Sequence, residues 1–407
     1  MQEENIKSLS FGCRLNALEC EKIKKAISNV VDTAVIVNTC SVTAEAERQS
    51  AQNVRRIARE NPNVPIFVTG CGATRNPALF EKIPNTVVIP NAQKMNSALY
   101  TDGLAKLNRG GEMLHFPHET PDLSKQFIQI QNGCNHKCTY CVTRLLRGPA
   151  VSFPYSDILA DARAAVERGF FEIVLTGVDS ASYAYKMGDK FIFISDVCKM
   201  LFRDVPEIQR LRISSLDPAS PEIFKIIDLI HSNKRMMPHL HLSMQSGSDA
   251  ILSAMGRRHN ADMVRKMFAA ADGITIGWDI ICGFPGETDE LFADTCDLAR
   301  ELKPIKIHAF PFSPRPGTVG ATMPNQIPRN IAKERVHQIT KIADKNLADY
   351  MATCIGNTVS VLVENNNIGR TPDDIDVVIG GSPIPAKTIM NVRITGIKND
   401  QFIGEAN

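Results

Sequence analysis

The sequence predicts an α/β protein in three parts: an N-terminal parallel-sheet domain, a central partial (β/α)6 barrel and a small C-terminal all-β barrel. Three observations support this prediction. Short apolar runs alternate with helix-type patterns in the first 100 residues and again from residue 127, which is typical of sheets covered by helices. The stretch between these regions is rich in Gly, Pro and charge, as in a linker. The tail has only short strand patterns divided by Gly, Pro and Asn.

Three apolar runs, each followed by a helix pattern, open the chain, and a fourth run, NTVVIP, follows them. The first three are IKSLSFGC, AVIVNTC and VPIFVTGC. Continuous apolar runs of this length are expected for strands that are buried on both faces. We therefore predict a flavodoxin- or Rossmann-like domain at residues 1–105 and a linker at 106–125.

Six further strand–helix units predict an open, partial barrel at residues 126–352, whose chemistry would lie at the carboxyl ends of the strands. The strand candidates are FIQIQ, FEIVLTG, RLRISS, HLHLSMQ, ITIGWDIICGF and IKIHAFPF. In the helix pattern SDILADARAAVERG, Ser156 is expected as the N-cap and Gly169 as the stop. One long helix, RNIAKERVHQITKIADKNLADYMATC, closes the region, and a β barrel follows at 353–407.

Composition limits the classes of protein to consider. The 407 residues are 43% hydrophobic and 22% charged, as in an ordinary globular protein, and the net charge of +2 leaves any nucleic-acid contact to local patches. No apolar run of about 18 residues predicts a membrane span, and the polar start does not resemble a signal peptide. We therefore expect a cytoplasmic protein. In that compartment, clustered cysteines among the 11 indicate metal binding or catalysis rather than disulfides.

Three cysteines, Cys134, Cys138 and Cys141, lie within eight residues after the first barrel strand. Structural zinc takes four ligands, and no fourth Cys or His follows at finger-like spacing. A disulfide would leave one cysteine over. A four-iron cluster held by three cysteines fits better, because it leaves one iron open for a substrate or cofactor. Structural zinc and unrelated thiols remain as alternatives.

Another three cysteines, Cys13, Cys40 and Cys71, are 27 and 31 residues apart, yet each ends one of the three N-terminal apolar runs. The carboxyl ends of parallel strands share one sheet edge, so we expect these thiols to converge on a second site. The alternative is that they are small buried packing residues. Packing is the role expected for the other five cysteines, which are Cys20, Cys198, Cys282, Cys296 and Cys354.

The spacing of the 134–141 cysteines resembles that of the radical S-adenosylmethionine (SAM) superfamily, and nearly the whole chain resembles its methylthiotransferase family. The blocks that carry the resemblance are SFGCRLNALECEK, VNTCSVT, VTGCGA, IQNGCNHKCTYC, LRISSLDP, HLHLSMQSGSDAILSAMGRRH, DIICGFPGET and FPFSPRPGT. The tail resembles the TRAM domain, an RNA-binding β barrel. FGCRLNALECE and the RRH after AMG are most similar to the subgroup that acts on threonylcarbamoyladenosine 37 of tRNA.

The resemblance implies two 4Fe–4S clusters and SAM as cofactors. Cys134, Cys138 and Cys141 would hold the SAM cluster, and Cys13, Cys40 and Cys71 the auxiliary cluster. One SAM would methylate sulfur on the auxiliary cluster, and another would yield a 5′-deoxyadenosyl radical that activates carbon 2 of the adenine. The expected SAM contacts are Tyr140, Gly177, Ser214, Ser215 and Gln245.

The implied partners are the anticodon loop of tRNA and an electron donor such as flavodoxin or ferredoxin, with no membrane and no DNA. The tail beyond 354 has four basic and six acidic residues, so phosphate contacts are expected elsewhere. The candidates are Arg144, Arg147, Arg257 and Arg258, together with the stretch 329–335. Alternative substrates are isopentenyladenosine 37 and a ribosomal-protein aspartate. An iron–sulfur or zinc protein that binds RNA without catalysis is the alternative outside enzymes.

Overall fold

The computed structural model describes residues 5–12, 14–107 and 124–406, so Cys13 and most of the expected linker lie outside the described residues. Contacts divide the chain into two compact units. The first unit comprises residues 1–122, 132–150 and 315–321, and the second comprises 123–131, 151–314 and 322–407. The segment with the closely spaced cysteines therefore packs with the N-terminal residues.

The N-terminal part of the first unit is a parallel sheet with the strand order β1-β2-β3-β4. Its strands are β1 (Ile6–Ser10), β2 (Ala34–Thr39), β3 (Ile66–Thr69) and β4 (Thr86–Val88). Its helices are α1 (Arg14–Ile27), α2 (Ala44–Glu60), α3 (Gly70–Arg75), α4 (Pro77–Glu81) and α5 (Ala98–Leu107). The first three strands are neighbours, so their carboxyl ends lie side by side along one edge.

Helices cover both faces of this sheet, because successive side chains of a strand point to opposite sides. Val37 and Val68 belong to an apolar cluster with Ile57 of α2. Ile36, the residue before Val37, belongs to another cluster with Ile23 of α1. All six residues of β2 are buried, which explains its continuous apolar run. The predicted parallel sheet is confirmed.

The region between residues 124 and 353 contains eleven described strands and eight described helices. The strands are β5 (Gln126–Gln129), β6 (Gln131–Asn132), β7 (Val151–Ser152), β8 (Glu172–Thr176), β9 (Ala184–Met187), β10 (Lys190–Phe193), β11 (Arg210–Ile213), β12 (Ser215–Leu216), β13 (His239–Gln245), β14 (Thr275–Cys282) and β15 (Lys306–Pro311). The helices are α6 (Thr143–Arg147), α7 (Tyr155–Glu167), α8 (Ile194–Asp204), α9 (Glu222–Ser232), α10 (Asp249–Ala254), α11 (Ala261–Ala270), α12 (Asp289–Leu302) and α13 (Arg329–Thr353).

Two parallel sheets, ordered β11-β8-β5 and β12-β13-β14-β15, confirm the partial barrel. They contain seven described strands rather than six, because the expected strand RLRISS divides into β11 and β12. On one face, apolar side chains such as Leu242 and Trp278 pack with the helices. Polar side chains alternate with them and point to the opposite face, hereafter the polar face. Its members include Gln129, Glu172, Arg210, Arg212, His239, His241, Asp279, Lys306 and His308.

The tail forms a closed five-stranded barrel, as predicted. Its strands are β16 (Thr358–Val363), β17 (Ile368–Arg370), β18 (Asp376–Gly380), β19 (Ile389–Lys398) and β20 (Gln401–Ala406). Within the larger barrel, the fully buried Glu172 forms ion pairs with Arg210 (3.2 Å) and Arg212 (2.7 Å) of the neighbouring strand β11. The same two arginines donate to backbone carbonyls of the small barrel at Ser360 (2.7 Å) and Thr371 (2.8 Å).

The start of α7 differs from the expected one. The helix begins at Tyr155, after Pro154, and Ser156 lies inside it with its hydroxyl on the Asp157 carboxylate (3.1 Å). Pro154 ends the preceding segment without a side-chain cap, so the N-cap assigned to Ser156 is wrong. The predicted end of the helix at Gly169 is confirmed, because this residue has a φ of +78°, which glycine adopts without strain.

Among the described residues, no helix combines the length and hydropathy needed to cross a membrane.

Replacing Glu172 with Gln should lower the free energy of unfolding by about 3–5 kcal/mol, because Arg210 and Arg212 would remain buried after losing the carboxylate with which both form ion pairs. Chemical denaturation followed by circular dichroism measures this. Glu301→Gln is the matched control, since Glu301 forms an ion pair with Arg265 at the surface, with side chains 47% and 43% exposed. Equal denaturation midpoints for the two variants would contradict the assigned role of Glu172.

Candidate functional site

Cys40 and Cys71 lie at the carboxyl ends of adjacent strands of the first unit. Cys40 follows Thr39, the last residue of β2, and Cys71 is the second residue of α3, directly after β3. Cys40 is buried and Cys71 half-buried. Cys13, the third expected member, lies outside the described residues. The structure therefore brings two of the three expected thiols to one sheet edge.

Glycines let the backbone approach the end of β2 closely. Gly12 has a φ of +85°, and a Cβ atom there would lie 2.4 Å from the Cys40 sulfur. Gly70 has a φ of +94°, and a Cβ there would lie 2.2 Å from the side-chain oxygen of Asn38. Both positions therefore require glycine. The segment before position 13 and the turn before Cys71 thus both lie against the end of β2.

Polar side chains fix these turns. The Thr39 hydroxyl donates to the Thr69 carbonyl (2.6 Å) and accepts from the Ala73 amide (2.8 Å), which holds the start of α3 beside β2. The Asn16 side chain donates to the Phe11 carbonyl (2.8 Å), which holds the segment after β1. These bonds make the edge with the cysteines a defined surface rather than a set of loose loops.

The loop with Cys134, Cys138 and Cys141 belongs to the same unit, and all three cysteines are half-buried. The His136 amide is directed at the Cys134 sulfur, and the Thr143 amide at the Cys141 sulfur, both at 3.4 Å. Amides directed at sulfur favour the thiolate form, which is the form that binds metal. Soft thiolates on one short loop suit an iron–sulfur cluster.

The two ends of this loop meet. The Cys134 amide donates to the Gly148 carbonyl (3.1 Å). A Cβ atom at Gly133, where φ is +68°, would lie 1.9 Å from the Pro149 carbonyl oxygen, so this position also requires glycine. Tyr140, the expected adenine contact, is half-buried within the loop.

A buried ion cluster fixes the loop to the N-terminal helix. Arg147, from the end of α6, donates to Glu19 (2.8 Å) and to the side-chain oxygen of Asn16 (2.6 Å). Lys94 forms an ion pair with the other Glu19 oxygen (2.5 Å). The side chains of Glu19, Lys94 and Arg147 are 1%, 5% and 3% exposed. Burial alone would raise the pKa of Glu19, but the charges of Lys94 and Arg147 outweigh it and lower that pKa.

Sequence reasoning missed Glu19 and Lys94. A signal for Glu19 was present, because Leu15, Glu19 and Ile23 are spaced by four residues and so share one face of α1. Leu15 and Ile23 are buried, so a carboxylate between them has to be buried too and requires a cationic partner. Lys94 follows a short turn, Asn91–Gln93, and its sequence context carries no comparable signal.

In the second unit, three of the four remaining expected SAM contacts lie at the carboxyl ends of strands: Gly177 follows β8, Ser214 follows β11, and Gln245 ends β13. Ser215 instead begins β12, where it pairs with His241 of β13. A Cβ at Gly177 would lie 3.0 Å from the side-chain oxygen of Gln131, so the backbone packs closely there. Gln245 has a φ of +70° where the register of β13 shifts, and such backbone strain in a non-glycine residue clusters at functional sites.

The four candidate arginines differ in exposure. Arg144 is exposed, and the Arg258 side chain is 55% exposed. The Arg147 side chain lies in the buried ion cluster, and the Arg257 side chain, 7% exposed, forms an ion pair with Asp217 (3.1 Å). Phosphate contact was expected from all four. Arg147 and Arg257 are instead buried beside protein carboxylates, and Arg258 also pairs with Asp217 (3.0 Å) although more than half of its side chain is exposed.

Replacing Glu19 with Gln should release the 134–148 segment from the N-terminal helix, because Lys94 and Arg147 would keep their charges in a buried site. Loss of groups that support metal ligands typically weakens metal binding by about 10-fold or more, so we expect iron to be lost to a chelator about ten-fold faster than from the parent protein. Glu21→Gln is the matched control, since Glu21 is 48% exposed and forms an ion pair with Lys24 on the same helix. Iron loss at the parental rate from the Glu19 variant would contradict this role.

Two family models match the chain. Residues 128–299 match the Radical SAM superfamily, and residues 5–90 match a family described as Uncharacterized protein family UPF0004. The two matches cover the barrel region and the N-terminal sheet respectively.

Curated relatives match over most of their length. The threonylcarbamoyladenosine tRNA methylthiotransferase MtaB of Rickettsia prowazekii is 38% identical, with 91% of this chain and 90% of the relative covered. The protein of the same name from Bacillus subtilis is 31% identical, with 95% and 92% covered. The tRNA-2-methylthio-N(6)-dimethylallyladenosine synthase of Tropheryma whipplei is 32% identical, with 89% and 84% covered.

Solved structures agree in fold. The radical S-adenosylmethionine methyltransferase TsrM from Kitasatospora setae superposes with a TM-score of 0.53 at 14% identity, with 76% of this chain and 68% of that chain covered. At this identity the likeness shows the fold alone. The relatives, at 30% identity or more over most of their length, show more: this chain belongs to the methylthiotransferase family of radical SAM enzymes.

Proposed function

We propose that this enzyme converts threonylcarbamoyladenosine 37 in the anticodon loop of tRNA to its 2-methylthio derivative, using SAM and two 4Fe–4S clusters. The observation that carries the proposal is that one compact unit contains Cys40 and Cys71 at adjacent strand ends as well as the three cysteines of the 134–141 loop. Two curated relatives whose names specify threonylcarbamoyladenosine tRNA support the choice of substrate.

The residues of the first unit fit two clusters. We assign Cys134, Cys138 and Cys141 to the cluster that binds SAM, because three thiolates on one short loop would leave one iron open for SAM. We assign Cys13, Cys40 and Cys71 to the auxiliary cluster. When bound, the clusters and SAM supply the radical and the methylthio group. The chain holds the thiolates, excludes water around buried Cys40 and fixes the 134–148 segment through Glu19.

The strand ends of the second unit are our candidates for orienting SAM. Gly177 is half-buried after β8, and the Ser214 hydroxyl lies 3.2 Å from that of Ser180, so either can donate. Gln245, in its strained conformation, offers an amide at the end of β13. Ser215 and Tyr140 complete the proposed set, with the tyrosine ring packing near the adenine of SAM.

The RNA contacts in this proposal come from exposed arginines. Arg144 is exposed, and Arg258 is 55% exposed although it pairs with Asp217 (3.0 Å), so these two are our candidates for phosphate contact, whereas Arg147 and Arg257 act from within the protein as positioning residues. A loop base suits such an enzyme, because an unstacked base can enter a pocket while a paired base cannot. A cytoplasmic location, an electron donor such as flavodoxin or ferredoxin, and the domain limits at residues 105, 126 and 352 belong to the same proposal.

A second candidate substrate is dimethylallyladenosine 37 (isopentenyladenosine) of tRNA. The relative from Tropheryma whipplei, whose name specifies that product, matches at 32% identity and so favours this candidate over others.

The two cysteine sets should separate two activities. Changing Cys134, Cys138 and Cys141 to Ala should remove about half of the iron from anaerobically reconstituted protein and abolish reductive cleavage of SAM. Changing Cys13, Cys40 and Cys71 to Ala should also remove about half, but leave SAM cleavage intact and abolish methylthiolation. Iron analysis and measurement of 5′-deoxyadenosine and modified nucleoside in one reaction test both. Cys198→Ala and Cys282→Ala, at fully buried positions outside both sets, are the controls.

The substrate itself is tested with three tRNAs that differ only at position 37, carrying the threonylcarbamoyl group, the dimethylallyl group or unmodified adenosine. We expect methylthiolation of the first alone, measured by mass spectrometry of nucleosides. A product only on the dimethylallyl tRNA would reject the proposed substrate and establish the second candidate.

A further inference from the structure

Three neighbouring strands place two imidazoles around one carboxylate on the polar face of the second unit. His241 Nε2 lies 3.0 Å from Asp279 Oδ1, and His308 Nδ1 lies 3.4 Å from the same oxygen. The two rings are 4.9 Å apart between centroids. The strand register pairs Asp279 with His308 and His241 with Gly277, so backbone pairing sets the arrangement.

The backbone leaves room for this group. Gly277 lies inside β14, where glycine weakens a strand, and a Cβ atom there would lie 2.7 Å from His241 Nδ1. A glycine inside a strand often marks a close approach of another group, here the imidazole. The pKa of Asp279 is lowered to about 2, because the bonds from His241 and His308 outweigh the opposing effect of burial. The carboxylate therefore stays charged and orients both rings.

Several other charged side chains on or beside the polar face are already paired with protein groups. Deeper on the polar face, Glu172 binds Arg210 and Arg212, and Lys125 binds Asp374 (3.4 Å). His239, at the start of β13, contacts the Thr275 hydroxyl at 2.8 Å, and burial lowers its pKa to about 3, so it is neutral. In contrast, the His308 side chain is 46% exposed, and Lys306, two residues earlier on the same face, is exposed.

The position of His241, Asp279 and His308 along their strands suits a substituent of a base that lies at the carboxyl ends of these strands. Asp279 precedes Cys282, the last residue of β14, by three residues, which is roughly 10 Å along a strand. A base at the carboxyl ends of the strands would thus direct its N6 substituent along the polar face towards Asp279. The threonylcarbamoyl substituent ends in a carboxylate and a hydroxyl, and it carries urea N–H groups.

We propose that His241, Asp279, His308 and Lys306 form the pocket that recognises the acidic N6 substituent of the substrate adenine. This inference rests on the proposed function. Lys306 pairs with the substrate carboxylate. His308, oriented by Asp279 through Nδ1, presents Nε2, which accepts from a hydroxyl or urea N–H when neutral and donates to a carboxylate when protonated. A dimethylallyl group satisfies none of these groups, so its burial here would leave polar atoms unpaired.

Two conservative variants test the pocket in the reconstituted enzyme with both clusters. Asp279→Asn removes the charge that orients the rings, and His308→Phe replaces an imidazole with an apolar ring of similar shape. For each, we expect kcat/KM with threonylcarbamoyl tRNA to fall about 10- to 100-fold. The preference in binding for this tRNA over tRNA with unmodified adenosine 37 should also disappear. Iron content and SAM cleavage without tRNA should match the parent protein.

His231→Phe is the control, since His231 is exposed and contacts only the Asp272 backbone carbonyl in its hydrogen bond (2.9 Å). Variants that keep the parental binding preference would overturn the inference, whatever their activity. One equivalent of zinc in the parent protein, lost in both variants, would overturn it as well, because the group would then be a metal site. Failure of the proposed function is distinct: the parent protein itself would not methylthiolate threonylcarbamoyl tRNA.

Discussion

The burial of one carboxylate, Glu19, ties three segments of the first unit together. A buried carboxylate is costly unless cations approach it closely, and Lys94 and Arg147 do so from two other segments. Arg147 ends the helix that follows the 134–141 cysteines, while Glu19 lies on the helix that follows β1. The ion pairs that neutralise Glu19 therefore hold both cysteine-bearing regions together in a single compact unit.

In the second unit, the buried carboxylate of Glu172 is likewise neutralised by two cationic side chains. The two arginines that pair with Glu172 also donate hydrogen bonds to backbone carbonyls of the small barrel. A buried charge on a strand of the large barrel therefore helps to hold the small barrel against it. Ion pairs within the protein account for much of the excess of acidic residues in the tail. Arg370 forms ion pairs with Glu364 (3.4 Å) and Asp376 (2.8 Å), and Asp374 with Lys125 (3.4 Å). Much of that negative charge is compensated within the protein rather than presented to RNA.

The arginines show that residue type alone does not predict which side chains can contact phosphate and which bind protein carboxylates. Arg144 and Arg147 are separated by two residues, yet one is exposed and the other lies in a buried ion cluster. Arg257 and Arg258 are adjacent and both pair with Asp217, yet their side chains are 7% and 55% exposed. A guanidinium can bind a phosphate or a protein carboxylate, and the choice depends on which anion the fold brings near. Distant residues such as Glu19 and Asp217 supply that anion.

The sequence by itself determined the elements and their classes, because periodicity of two or of 3.6 residues follows directly from strand and helix geometry. It also determined the closely spaced cysteines and the end of each N-terminal strand, since both are local features. Only the tertiary structure decided which charges meet: Glu19 with Arg147, Glu172 with Arg212, and Asp279 with two histidines on flanking strands. These pairings depend on strand order and register, which arise from packing across the whole unit and leave no local trace in the chain.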